Sequence, residues 1–158
     1  MLKPAFLFQS DLNHEYQKHL YSEDFKYLVE QVWEFEITTD ANDEDRLQFV
    51  SVNHSNQVLA YFSAFINRRL YKVDSIEAIV FHNSLISSRD LLKFVNDLTF
   101  KFGFHKVSFE GLVDSPGEKV YDRHLEILKA RVVGIKKNEV RLSDGKWYDV
   151  KLYEILPQ

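Results

Sequence analysis

No glycine occurs in the first 102 of the 158 residues; the five glycines stand at 103, 111, 117, 134 and 145. Glycine lets the backbone turn left-handed, or approach a ligand with no side chain in the way. A Walker A phosphate cradle and a GxGxxG dinucleotide turn both depend on it, and no spacing here supplies either. Collagen-like, low-complexity and flexible-linker chains are excluded on the same ground. Proline is equally sparse, at 4, 116 and 157. Chain reversals in the glycine-free stretch fall instead to Asn53-His54-Ser55-Asn56 and to Arg68-Arg69.

A chain of 158 residues is expected to form a single domain, 1–158. Thirteen Phe, eight Tyr and two Trp supply bulky filling for its core. With no cysteine, disulfides, thiolate metal sites and a cysteine nucleophile are excluded, which suits a cytoplasmic location. Met1–Phe8 carries one lysine and its apolar stretch stops at Gln9, so no signal peptide is expected. No apolar run approaches the ~20 residues that cross a bilayer, and no membrane partner is expected. The net charge of −4 disfavours nucleic acid as a partner. None of the six histidines, at 14, 19, 54, 82, 105 and 124, stands at a ligand spacing, so no metal site is expected.

Ser22-Glu23-Asp24 reads as a helix start, followed by Phe25, Leu28, Val29, Val32 and Trp33 at amphipathic spacing. An earlier helical turn or two is expected around Glu15–Leu20, and a polar loop over Thr38–Arg46. Arg46–Val52, Val58–Ile66 and Tyr71–His82 read as three strands of an antiparallel meander, with Val58, Ala60, Phe62, Ala64 and Ile66 alternating. Ser87 or Ser88 is the expected cap of the next helix, whose apolar face is Leu91, Leu92, Val95, Leu98 and Phe102, with Gly103 ending it. A strand at Lys106–Glu110, a loop at Gly111–Gly117 and a helix at Glu118–Lys129 follow. Arg131–Ile135 and Glu139–Leu142 read as extended, and Ser143-Asp144-Gly145 as a hairpin turn into a last strand, Lys146–Leu156. Strands first and a β-α-β crossover later imply an α+β fold, a mixed and mostly antiparallel sheet flanked by helices.

The stretch Val120-Tyr121-Asp122-Arg123-His124-Leu125-Glu126, then Ala130-Arg131-Val132-Val133-Gly134, resembles the "lYeklGFkeeG" run of the GNAT superfamily of acetyl-CoA-dependent N-acetyltransferases. The ending Asp144-Gly145-Lys146-Trp147-Tyr148-Asp149-Val150 resembles that superfamily's "dGkyyDv". The resemblance runs from about Val58 to Ile155 and implies a GNAT-like fold, with acetyl-CoA as cosubstrate and an amine as acceptor. That amine would be on a small molecule, or at a protein N-terminus or side chain. The family's Q/R-x-x-G-x-G/A motif holds the CoA pyrophosphate on backbone amides at a helix N-terminus. Its place here is His82-Asn83-Ser84-Leu85-Ile86-Ser87-Ser88-Arg89, which has no glycine. The implied cofactor-binding residues are Phe81, His82, Ser84, Ser87, Ser88 and Arg89, with Ser115 where many relatives have asparagine.

Tyr121 matches the family tyrosine that stabilises the departing thiolate, and it equally fits a core stripe at helical spacing. Glu77, in the third meander strand, is the first candidate for the base that takes the amine proton, followed by Asp74 and His82. Glu77 also fits the solvent face of an alternating strand. The missing glycines support a second reading, a GNAT-fold domain without catalysis that serves as a structural or protein-interaction module. The aromatic C-terminal strand could pair with a second copy at a sheet edge and form a homodimer.

Overall fold

The computed structural model describes residues 1–27 and 35–156, with only the backbone at Asp24. Among them a seven-stranded sheet runs in the order β1-β2-β3-β4-β5-β7-β6. Its strands are β1 (Leu2–Pro4), β2 (Arg46–Val52), β3 (Val58–Asn67), β4 (Lys72–Val80), β5 (Lys106–Leu112), β6 (Ala130–Arg141) and β7 (Trp147–Ile155). The β4–β5 pair is parallel and every other neighbouring pair is antiparallel. The helices are α1 (Gln9–His19), α2 (Leu85–Phe100), α3 (Pro116–Arg123) and α4 (Leu125–Leu128). The meander and the mixed α+β sheet stand as the sequence implied.

Alternation along β3 sorts the core into two layers, because successive side chains point to opposite faces. Ala60, Phe62, Ala64 and Ile66 join Leu91, Phe94, Val95 and Leu98 of α2 on one face. Tyr61 turns to the other, where Val50, Val52 and Ile79 meet Leu12 and Tyr16 of α1. Phe62 stacks on Phe94 with centroids 5.8 Å apart, a pairing worth about 0.5–1.5 kcal/mol beyond its area.

Several boundaries differ from those expected. The cap of α2 is Ser84, not Ser87 or Ser88: its hydroxyl accepts the Ser87 amide while Ser87 reaches back to the Ser84 amide. This reciprocal box satisfies two of the helix's free amides. The helix expected over Glu118–Lys129 begins at Pro116 and breaks at His124, whose φ of −109° divides α3 from α4. The early helical turn is a full helix, α1, and β1 had no sequence signal. Of the helix expected from Ser22, Glu23–Tyr27 forms a 3-10 turn, and Leu28, Val29, Val32 and Trp33 lie outside the described residues. The last strand, β7, is not an edge: it lies between β5 and β6, pairing with both. Tyr153 and Ile155 alternate into the core and draw it inward, so the free edge on that side belongs to β6.

Candidate active site

Parallel β4 and β5 pair only at Lys72–Lys106 and Val73–Val107, although β4 continues to Val80 and β5 to Leu112. Each strand is held along its other edge, β4 by β3 and β5 by β7, so past Val73 and Val107 the two part. The facing edges keep backbone amides and carbonyls out of any sheet ladder, and such groups need partners.

At the mouth of this opening α2 begins. Among the described residues the Leu85 and Ile86 amides carry no hydrogen bond, while Ser84 takes that of Ser87 at 3.1 Å. The positive end of the helix dipole adds to this attraction for an anion. The hydroxyl of buried Ser87 is spent locally, on the His82 carbonyl at 3.1 Å and the Ser84 carbonyl at 2.9 Å. The Ser88 amide closes onto the Ser84 carbonyl at 3.1 Å. Arg89 projects outward, 69% exposed, with Asp90 3.7 Å away. Leu85, where the family motif has small residues, is 91% exposed.

The Phe81 ring faces α1, between His19 at 5.7 Å and Phe25 at 6.1 Å. His82 Nε2 lies 3.0 Å from Glu15 of α1 and 3.3 Å from Gln57. Burial alone would raise the Glu15 carboxyl; hydrogen bonds from Lys18 and His82 outweigh it and hold the group below its ordinary value. His82 thereby ties α1 to the turn ahead of α2.

On the β5 side Ser115 caps α3, its hydroxyl accepting the Glu118 amide at 3.1 Å, and it is buried. Glu118 accepts the Asp114 amide at 2.6 Å and pairs with Lys151 of β7. Lys151 also meets Asp122 at 2.7 Å, and the Tyr153 hydroxyl donates to Asp122 at 2.8 Å. The Lys151 hydrogen bond, with that of Tyr153, keeps Asp122 below its usual range against the opposing effect of burial. These bonds fix α3 in rotation, and so fix Tyr121 on its inner side. The Tyr121 ring packs on Phe109 at 5.0 Å and Tyr153 at 5.7 Å. Burial pushes its hydroxyl up to about 12, and among the described residues that hydroxyl has no hydrogen-bond partner.

Glu77 lies on the opposite face of the sheet, the α1 side, opposite Ser63 in the register. Its Oε2 accepts from Arg46 at 2.9 Å and from Ser63 at 2.9 Å, and the Arg46 guanidinium lies over the Phe65 ring at 4.6 Å. Glu77 and Tyr121 therefore belong to opposite faces of a sheet whose middle is parted. Asp74 is remote from them in the register, close to the β3–β4 turn, where it pairs with Lys72 at 2.6 Å. Arg46 and Ser63 carry no motif in the sequence. The signal available was parity: Ser63 interrupts an apolar strand on the face that Glu77 shares.

A central mixed sheet with its parallel pair parted, α2 following β4 on one side and α3 packing Tyr121 against β5 and β7 on the other, is a GNAT-like fold. No family model matches the sequence, and no curated protein matches it. Solved structures do match. The spermidine N-acetyltransferase of Vibrio cholerae, crystallised with CoA and spermine, aligns over 99% of this chain and 94% of its own, with a TM-score of 0.73 and 16% identity. A spermidine/spermine N-acetyltransferase of Vibrio cholerae with manganese ions covers 73% of this chain and 67% of its own, with a TM-score of 0.61 and 18% identity. At these identities the likeness is one of fold.

Proposed function

We propose that the protein, as a single domain of residues 1–158, is a cytoplasmic N-acetyltransferase that moves acetyl from acetyl-CoA to a primary amine of a small molecule or protein. The observation that carries this reading is the parted β4–β5 pair, with the unpaired Leu85 and Ile86 amides following β4 and the Tyr121 ring packed on β5. The likeness to an enzyme crystallised with CoA and spermine supports it. The donor fits the groups present: a helix N-terminus suits its phosphates, and unpaired strand edges suit a chain that carries amides. Acetyl-CoA supplies the acyl group as a thioester.

The acceptor nitrogen must be neutral to attack the thioester carbon, and amines are mostly charged near neutral pH. In this reading Glu77 takes a proton from the ammonium before attack, with Arg46 and Ser63 fixing the carboxylate's orientation, and the nitrogen's second proton passes to water as the C–N bond forms. The C–S bond then breaks and the sulfur leaves with the bonding pair. Tyr121 donates a hydrogen bond to that sulfur. A phenol at about 12 lies well above an ordinary thiol at roughly 8.5, so the hydroxyl keeps its proton and stabilises the thiolate rather than protonating it outright.

A panel of mono- and diamines offered with acetyl-CoA, with thiol release followed by a chromogenic disulfide, tests the reading. Amine-dependent release is the expected result, and its absence across the panel would overturn it. The second reading, a non-catalytic interaction module, is favoured by one observation, the 91% exposed Leu85 side chain where the pyrophosphate motif has small residues. A homodimer would form at the free edge of β6.

A further inference from the structure

A cavity of about 420 Å³ opens where β5 ends, between the turn after Leu112 and the β6–β7 hairpin. Its volume is in the roughly 300–1,000 Å³ range of small-molecule sites. Three rings, Tyr27, Trp147 and Tyr148, line it together with Asp114, Asp149 and Lys146. Tyr27 and Tyr148 meet edge to face with centroids 6.1 Å apart, and the Trp147 indole is 59% exposed.

The charges around it are unevenly matched. Asp149 holds Lys137 at 2.6 Å and the Asn138 amide at 2.9 Å. Asp144, at the rim, accepts the Tyr148 hydroxyl at 2.7 Å and faces Lys26 at 3.7 Å, and the charge of Lys146 also bears on it. Among the described residues the carboxylate of Asp114, which is exposed at the rim, has neither a cation nor a hydrogen bond. Its backbone is held at a φ of 68°, with its amide bonded to Glu118. Aromatic faces beside an unmatched carboxylate attract an alkylammonium, through the ring quadrupoles and through direct charge pairing.

We propose that this cavity binds an ammonium group that the reaction leaves untouched, so that the acceptor is an amine carrying a second cation. The place of this group in catalysis rests on the acetyl-transfer reading, because a nitrogen kept charged against Asp114 is not the one that attacks. The attacking nitrogen belongs beside Glu77 on β4, and the cavity lies at β5 and β7. Past Val73 and Val107 the strands part, so these positions lie farther apart than two paired-strand spacings of about 10 Å, which calls for a long diamine.

The test uses 1,8-diaminooctane and its one-cation analogue octylamine. The chain has two tryptophans, Trp33 and Trp147, so Trp147→Phe assigns any emission change to the cavity. The diamine should change Trp147 emission saturably at low salt, and Asp114→Asn should weaken this binding about tenfold or more by neutralising the charge pair. Asparagine tolerates the same positive φ, which keeps the turn intact. In steady-state assays the substitution should raise KM for the diamine about tenfold and leave KM for octylamine within about twofold. Unchanged diamine binding in Asp114→Asn, or equal KM changes for both amines, would overturn the proposal. Cation binding without acetylation of any amine would leave the cavity assignment standing and remove the transfer reading. Acetylation without a Trp147 response or an Asp114 effect would do the reverse.

Discussion

Replacing Tyr121 by Phe separates the two roles open to this residue, because its ring and its hydroxyl serve different ends. The ring fills the core against Phe109 at 5.0 Å and Tyr153 at 5.7 Å, and phenylalanine keeps both contacts. The hydroxyl has no hydrogen-bond partner among the described residues, and burial pushes it up to about 12. Removing a hydrogen-bonded hydroxyl costs about 1 kcal/mol, whereas removing an unpartnered one is close to neutral. The expected change in stability is within about 0.5 kcal/mol, a Tm shift of about 2 °C or less for a chain of this size. Turnover should respond differently. Acid assistance to a leaving group contributes about 10²–10⁴-fold, and a phenol that lends a hydrogen bond without giving up its proton belongs at the lower end. A fall of about a hundredfold in kcat corresponds to about 2.7 kcal/mol, with acetyl-CoA affinity unchanged. Calorimetric unfolding and steady-state kinetics on the same preparation give both numbers. A loss of stability above about 1.5 kcal/mol would show that the hydroxyl is a structural bond, and unchanged kcat would remove Tyr121 from the chemistry.

A Cβ on Gly111 would meet Tyr153 at 3.3 Å and Tyr121 at 3.4 Å. Gly111→Ala should therefore cost about 1–3 kcal/mol through overpacking, read by denaturant unfolding, and should lower kcat by displacing the Tyr121 ring. Ser115→Ala removes the α3 cap and should destabilise by about 1 kcal/mol, with Ser115→Asp recovering most of the loss in the same thermal assay. The Glu15 carboxyl is held below its reference value of 4.5, so the stability it contributes is complete above that pH and is lost as pH falls through the lower folded value. Acid titration of Glu15→Gln should accordingly show a shallower loss of stability below about pH 4.5 than the parent, and identical slopes would contradict the Glu15–Lys18–His82 arrangement.

The parts of this fold that follow local rules were legible in the sequence. The alternation of Val58, Ala60, Phe62, Ala64 and Ile66 located β3, and the period of Leu91, Val95 and Leu98 located α2. The parts set by long-range contact were not. Helix α1 buries Leu12 and Tyr16 beside a buried Glu15, too few apolar residues to stand out from a polar segment. Strand β1 has three residues and exists only through its pairing with β2. The inward position of β7 depends on which strand wins the edge of β5, a choice made by tertiary packing. At the candidate site, it was resemblance that pointed to Tyr121 and the α2 N-terminus. The Arg46–Ser63–Glu77 cluster joins residues from three strands and becomes visible only when the register is known. The glycine-free first 102 residues have a structural counterpart. Left-handed backbone falls on Asn56 and Tyr71 there, and on Asp114, Lys129 and Asn138 later, with glycine in that region only at 103 and 145.

Acetyl-CoA is proposed to bind in the opening between β4 and β5, although its mouth is built from Ser84, Leu85 and Ser87 rather than glycine. Calorimetric titration with acetyl-CoA, paired with thermal unfolding, tests this binding most directly. One-site binding is expected, and ligand at 100 times Kd should stabilise the protein by about 2.7 kcal/mol, a rise in Tm of about 5–10 °C for a chain of this length. Leu85→Gly, which opens the approach to the α2 amides, should tighten the binding. No heat and no shift in Tm at millimolar acetyl-CoA would overturn this binding and leave the fold as a module without transfer chemistry.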